Sequence, residues 1–464
     1  MCGIGGIINI NNSKIDPEIA NNIKTSLEHR GPDNSSIKHI SETVSLVHTR
    51  LAIIDIEDRS NQPFHSDDNR YWIVFNGEIY NYKEIREELE NKGYSFHTSG
   101  DTEVLLKGFI CYKEKILDKL RGQFAFAIYD SFEKTTFLAR DRIGIKPLYF
   151  SKYKEWIVFG SEMKTIESSK LIPFIPDTES YMTYMRHLCI PGSSTGNKNI
   201  SKVRPGEYVT FSKSGEIKTY KYWDPFSFEI DYEMSESEAS DELERLLIES
   251  VEYRKVSDVE VGLFLSGGLD SSLIGKLMKE GSQSKLKGFN IDYEEHFDGY
   301  KGEVSEAEYA SSNIDIELIK EKIAYRDFKT LLNNYSNYQD DLNGDEVGIP
   351  LYFLGKSARS KGITVVQVGE GADELFYGYE HWLRYLKLNK FIKPIMKNNS
   401  RVSGFSNHRL NLLSNIIFNR TSFAGGALGF NLSEINRLVE GGISENPSSL
   451  HYVDSKWNDY FSRP

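Results

Sequence analysis

Cysteine is scarce in this chain. Cys2, Cys111 and Cys189 are the only three in 464 residues, too far apart to read as a disulfide framework or a zinc cluster. Long apolar runs are missing too. Nothing approaches membrane-spanning length, and the start lacks the charged-then-apolar order of a signal peptide. Basic residues are not in excess: 56 Lys and Arg face 68 Asp and Glu, a net charge of −12, which argues against general nucleic-acid binding. The locally basic LRYLKLNKFIKPIMKNNSR reads as a solvated helix face. These absences set the expectation of a soluble, cytoplasmic protein with neither nucleic-acid nor membrane partners.

No internal repeat or long low-complexity tract is present, and the length suggests two or three domains. The first two hundred residues read as short strands rich in β-branched and aromatic residues, among them VSLVHTRLAIIDI, YWIVFNGEIY, GQFAFAIYD and EWIVFGS. Amphipathic helices are expected at NYKEIREELENKG and TEVLLKGFICYKEKILDKL, giving a layered α+β domain over 1–210. A hairpin, KVRPGEYVTFSKSGEIKTYKYWDP, runs into a linker over 211–234, then a capped helix within EMSESEASDELERLLIESVEYR. From Val259 the pattern turns to strand–loop–helix, VEVGLFL–SGGLD–SSLIGKLMKEG, with further strands at LKGFNIDY and ITVVQVGE. That alternation predicts an α/β doubly wound parallel sheet over 235–464.

The start, MCGIGGIINI, raises a chemical question. Removal of Met1 would leave Cys2 with a thiol and an α-amino group on one residue. An amine of pKa about 7.7–8 can accept the thiol proton, so such a nucleophile needs no histidine. FNGEIYNY places Asn76 and Gly77 at a strand-to-turn junction, where a side-chain amide and a backbone N–H could stabilise an oxyanion. Arg50 in HTRLAIID suits a carboxylate, and Asp101 in TSGDTE suits an ammonium. An amino acid with both groups on Cα and an amide at its far end is glutamine. Each residue alone has a plainer reading: a lone Cys in an apolar strand as core, NGE as a hairpin turn, Arg50 as a surface ion pair.

Together, MCGIGG, RGPD, HTRLAIID, FNGEIYNY, TSGDTE and LARDRIGIKPLYF resemble, in order, the class II glutamine amidotransferase domains, which are N-terminal-nucleophile hydrolases. The resemblance implies Cys2 as nucleophile, Asn76 and Gly77 as oxyanion hole, and Arg50 and Asp101 on the α-groups of glutamine. Glu78 would line the same pocket.

In the second half, VEVGLFLSGGLDSSLIGKL puts a glycine loop between strand and helix, a geometry that favours phosphate. No Gly-Lys-Ser/Thr follows, so this is no Walker A loop. Ser266 and Ser271 offer hydroxyls and Asp270 a carboxylate for Mg²⁺; without a P-loop lysine to cradle a γ-phosphate, attack at the α-phosphorus with pyrophosphate leaving is favoured over γ-phosphoryl transfer. SGGLDSS resembles the pyrophosphate loop of the ATP pyrophosphatases, and the whole chain resembles the glutamine-hydrolysing asparagine synthetase family. GIPLYFLGKSARSKGITVVQVGEGADELFYGY is a further match. The resemblance implies an ATP site of Phe264, Leu265, Ser266, Gly267, Gly268, Asp270, Ser271, Ile291, Val368 and Gly369. It puts Mg²⁺ on Asp270 and Asp373, and Glu370 at adenylate formation and ammonia attack. Glutamine, ATP and aspartate are the expected partners, and a homodimer is compatible with it.

The chain also departs from that pattern. Val368 stands where the family has a serine, and HFDGYKGEVSEAEYA and DDLNGDEV look inserted. Up to DSKWNDYFSRP, neither the family's basic catalytic segment nor its arginine–proline–phenylalanine–leucine–aspartate signature appears. A truncated chain, a natural short form and an impaired synthetase half all fit, so glutamine hydrolysis is the firmer expectation. Two rivals follow: another acceptor carboxylate, such as a sugar acid, or a regulator that binds without synthesis. A phosphoribosyl-transferring amidotransferase is disfavoured by SGGLDSS.

Overall fold

A computed structural model describes residues 1–228, 231, 233–280, 285–294, 303–376, 378–379, 382–383, 429–430 and 432–438. The basic stretch after Leu383, the first residues of the HFDGYKGEV insertion and the final DSKWNDYFSRP lie outside them.

The first unit is built on β1 (Gly3–Asn9), β2 (Asn34–Ser41), β3 (Val44–Arg50), β4 (Phe64–His65), β5 (Tyr71–Ile79), β6 (Gly122–Asp130), β7 (Thr135–Arg140), β8 (Tyr149–Tyr153), β9 (Trp156–Gly160), β10 (Ser201–Lys202), β11 (Glu207–Phe211) and β12 (Ile217–Lys221). These form two antiparallel sheets, ordered β10-β8-β9-β1-β3-β2 and β12-β11-β7-β6-β5-β4. Side chains alternate between layers, as the two-residue strand period requires. Ile4, Ile8 and Leu46 meet Trp72, Val74 and Ala127 between the sheets. On the outer faces, Ile7 and Val47 pack with Ile23 and Leu27 of the helix Pro17–Leu27. Ile73 and Phe75 pack with Val104, Leu105 and Phe109 of the helix Asp101–Tyr112. The result is a helix–sheet–sheet–helix stack, the expected α+β layering.

Three local expectations change. The helix expected over TEVLLKGFICYKEKILDKL breaks at Lys113, whose φ is 54°, and resumes at Ile116–Lys119. Asn76 and Gly77 lie inside β5 opposite Ala125 and Phe124, not at a turn, because β5 is buried on both faces and continues to Ile79. The boundary at 210 falls within β11; the hairpin β11–β12 is the edge of the second sheet, held by β7.

The helix Glu236–Arg254 opens the second unit with the capping box of Ser235 and Glu238. Strands β13 (Val261–Phe264), β14 (Leu286–Tyr293), β15 (Ile316–Ile323) and β16 (Val365–Gln367) form a parallel sheet in the order β15-β14-β13-β16. The chain leaves β13 to one side and returns through β16 on the other. Such a switch point opens a crevice at the carboxyl ends of the strands. SGGLDSS follows β13 there, and Val368–Glu374 follows β16.

Candidate active site

Cys2 sits just before β1, beside the end of β3. Its Sγ accepts from the Leu51 N–H (3.4 Å) and donates to the Leu51 carbonyl (3.6 Å), while Arg30 Nε donates to the Cys2 carbonyl (3.0 Å). Burial pushes the thiol above its ordinary value; the Leu51 contact, the terminal amine, Lys146 and Arg50 pull the other way. Burial also lowers the Met1 amine to about 5.

A cavity of about 250 Å³ opens in front of Cys2. Arg50, Asn76, Gly77, Glu78 and Asp101 all line it, so the five residues proposed from sequence converge with Cys2. Buried Asn76 carries an Nδ2 with no hydrogen-bond partner. A Cβ on Gly77 would lie 2.1 Å from the Gln123 carbonyl oxygen, so this position admits no side chain. Arg50 is fixed by the Glu57 carbonyl (2.9 Å), Asn61 Oδ1 (2.8 Å) and the Asp55 carbonyl. Asp101, in the first turn of its helix, accepts from the Ile79 N–H (2.9 Å). Burial, reinforced by the Glu78 charge, raises its carboxyl to about 7. Burial raises Glu78 as well.

Lys146 was not anticipated. It lies 8% exposed in the same wall, and burial lowers its ammonium against the pull of Glu78 and Cys2. Its signal was available only as one letter inside LARDRIGIKPLYF. Thr364, Val365 and Val366, from β16 and the residue before it, close the far side. One cavity therefore touches both units.

At the switch point, Ser266 Oγ lies 3.0 Å from Ser271 Oγ and accepts from the Gly268 N–H (3.2 Å). Gly369 lies against the backbone of Asp270 and Ser271, bringing the two sequence motifs together. Burial raises Asp270, with Asp373 and Glu374 adding repulsion. Burial likewise raises Glu370, with contributions from Glu374, Asp345, Asp373 and Asp270. Asp345 and Glu374 were missed from sequence; only the fold brings Asp345 to this crevice. Phe264 and Leu265 are buried in separate cores, so their side chains offer a nucleotide little free surface. Ile291 is half-buried and retains some, and Val368 packs on the Phe264 cluster. Among the described residues, no three His, Cys, Asp or Glu side chains form a ready metal cage. Two repelling carboxylates do suit Mg²⁺, which keeps several waters and takes one or two carboxylates beside substrate phosphates.

The glutamine amidotransferase domain model matches residues 1–223, and the asparagine synthase model matches residues 242–431. The chain is 39% identical to asparagine synthetase (glutamine-hydrolysing) 1 of Bacillus subtilis over 394 residues, 84% of this chain and 61% of that one. A Methanocaldococcus jannaschii protein named for the same activity is 34% identical over 426 residues, 86% of this chain and 79% of its own. This chain belongs to the glutamine-hydrolysing asparagine synthetase family. It spans less than two thirds of the Bacillus member's length. No helix among the described residues is long and apolar enough to cross a membrane.

Proposed function

We propose that this chain hydrolyses glutamine at Cys2 and passes the ammonia to a carboxylate activated by ATP, with aspartate as acceptor and asparagine as product. The observation that carries this reading is the shared cavity, walled by Cys2, Asn76 and Asp101 on one side and by Thr364–Val366 on the other.

Removal of Met1 leaves Cys2 with a terminal amine, ordinarily of pKa about 7.7–8, which takes the thiol proton directly or through water. The thiolate attacks the glutamine carboxamide, and the oxyanion is met by Asn76 Nδ2 and the Gly77 N–H. Collapse of the tetrahedral intermediate breaks its C–N bond: the nitrogen takes the proton held by the Cys2 amine and leaves as ammonia, and water then hydrolyses the remaining γ-glutamyl thioester to glutamate. Arg50 and Asp101 hold the α-carboxylate and α-ammonium.

At the second site, Ser266, Gly267, Gly268 and Ser271 bind the ATP phosphates. The acceptor carboxylate attacks the α-phosphorus, forming an acyl-adenylate and expelling pyrophosphate. Asp270 and Asp373 would hold Mg²⁺, which neutralises phosphate charge when bound. Ammonia then attacks the adenylate carbonyl, forming the amide and releasing AMP, and Glu370 receives its proton. Free ammonia is mostly protonated at pH 7, and the ammonium so formed is not nucleophilic, so transfer through a closed space keeps the nitrogen reactive.

The test is pyrophosphate release across a panel of carboxylic acids with glutamine and ATP. Aspartate should drive it in step with glutamate release, and Cys2→Ala should lose glutamine-dependent but keep ammonia-dependent release. Release with a different acid alone would overturn aspartate; none with any acid would overturn synthesis.

A further inference from the structure

Building on that reading of Cys2, we infer that Glu162 is a positioning residue for glutamine hydrolysis and that Lys164 fastens it to the second unit. Glu162 stands between β9 and the short helix Met163–Glu167, outside the cavity lining. Its buried carboxylate accepts at Oε1 from Arg30 Nη1 (2.5 Å), and His29 Nε2 lies 3.0 Å from the same oxygen. Arg30 in turn holds the Cys2 carbonyl through Nε. The Arg30 side chain is 8% exposed, so without Glu162 a buried guanidinium would keep only weak partners.

The other oxygen, Oε2, pairs with Lys164 Nζ (2.8 Å). Lys164 Nζ also donates to the Asn337 carbonyl (2.7 Å), and the Lys164 N–H donates to the Asp340 carboxylate (2.5 Å). The next residue, Asp341, accepts from Tyr149 OH and Lys202 Nζ, both at 2.9 Å. A continuous polar chain thus runs from the carbonyl of Cys2 to the loop 337–345, whose Asp345 adds its charge to those that raise Glu370. DDLNGDEV, which looked inserted, is the clasp between the units.

Glu162 touches neither the sulfur nor the cavity, so it acts through Arg30 by fixing the Cys2 backbone and the approach of Sγ to Leu51 N–H. Displacing a reacting atom by an ångström costs about a hundredfold in rate. Glu162→Gln should therefore lower kcat for glutamine by about ten- to a hundredfold and leave KM within about threefold. Lys164→Met, which keeps the Arg30–Glu162 pair, should give a smaller loss of kcat and more glutamate per pyrophosphate. A kcat for Glu162→Gln within about twofold of wild type would overturn the inference. A wild-type chain releasing no glutamate would fault the functional reading instead. Alkylation of Cys2 by iodoacetamide then decides: slower reaction in both variants than in wild type supports the positioning role, and equal rates refute it. Thermal melting by circular dichroism identifies a variant that fails to fold, and the other variant then carries the test.

Discussion

Asn76 leaves a buried amide donor unpaired inside a strand where neighbouring groups are paired. An unsatisfied buried donor costs about 1–3 kcal/mol, so its retention makes sense where an acceptor arrives during turnover. Asp101 has a comparable tension. Burial favours its neutral form until about pH 7, yet only the ionised carboxylate can pair with an α-ammonium. With glutamine bound as proposed, its α-ammonium loses its partner below that value, where the acid is protonated; above it the pair forms. The kcat/KM for glutamine should therefore climb as pH rises through about 7, reporting the free enzyme. Asp101→Asn should remove that limb and raise KM. Glutamate release measured over about pH 5 to 9 checks this, and a flat wild-type profile would refute the assignment.

At the scale of elements, strands were the most legible part of the sequence. Alternating residues such as Trp72 and Val74 against Ile73 and Phe75 face different layers, a pattern that spacing alone reveals. What spacing hid was burial on both faces, which carries β5 through Asn76 and Gly77 and turns an expected strand-to-turn junction into strand. The break at Lys113 was equally hidden, since it depends on a left-handed backbone within a continuous apolar pattern. The residues that line the cavity with Cys2 were legible because they sit in short motifs; Lys146, Glu162 and Asp345 reach their partners only through long-range packing. The loop after β13 was readable down to its glycines. Gly267 has φ 87°, and a Cβ there would lie 2.3 Å from the Glu306 carbonyl carbon and 2.4 Å from the Ala307 nitrogen. Gly267→Ala should deform this loop while leaving the first unit alone. ATP affinity should fall at least about tenfold by calorimetric titration, a loss of about 1.4 kcal/mol, with glutamine hydrolysis retained. Unchanged ATP binding would remove the loop from the nucleotide site.

Over the whole molecule, the two units meet through several polar contacts beyond the cavity. Asp55 N–H donates to Asp258 (2.7 Å), Tyr253 OH bonds Glu84 (3.0 Å), and Lys202 pairs with Asp341 (2.9 Å). Such contacts fix orientation more than they stabilise, since partly exposed pairs contribute about 0–1 kcal/mol each. Orientation is what a shared cavity requires. Val365 shows why: it lines the cavity from β16, opposite Val261, yet belongs to neither apolar cluster of the second unit. Its side chain is therefore part of the wall rather than of the core. Val365→Glu would put a charge and extra bulk where the proposed transfer has nitrogen cross uncharged. A carboxylate there favours ammonium over ammonia, the form that cannot attack an adenylate. Glutamine-supported amide formation should then fall at least about tenfold relative to ammonium-supported formation in the same preparation, while glutamate release continues. Because added ammonium reaches the second site without the first, equal losses from both nitrogen sources would mean that the cavity is no route between them.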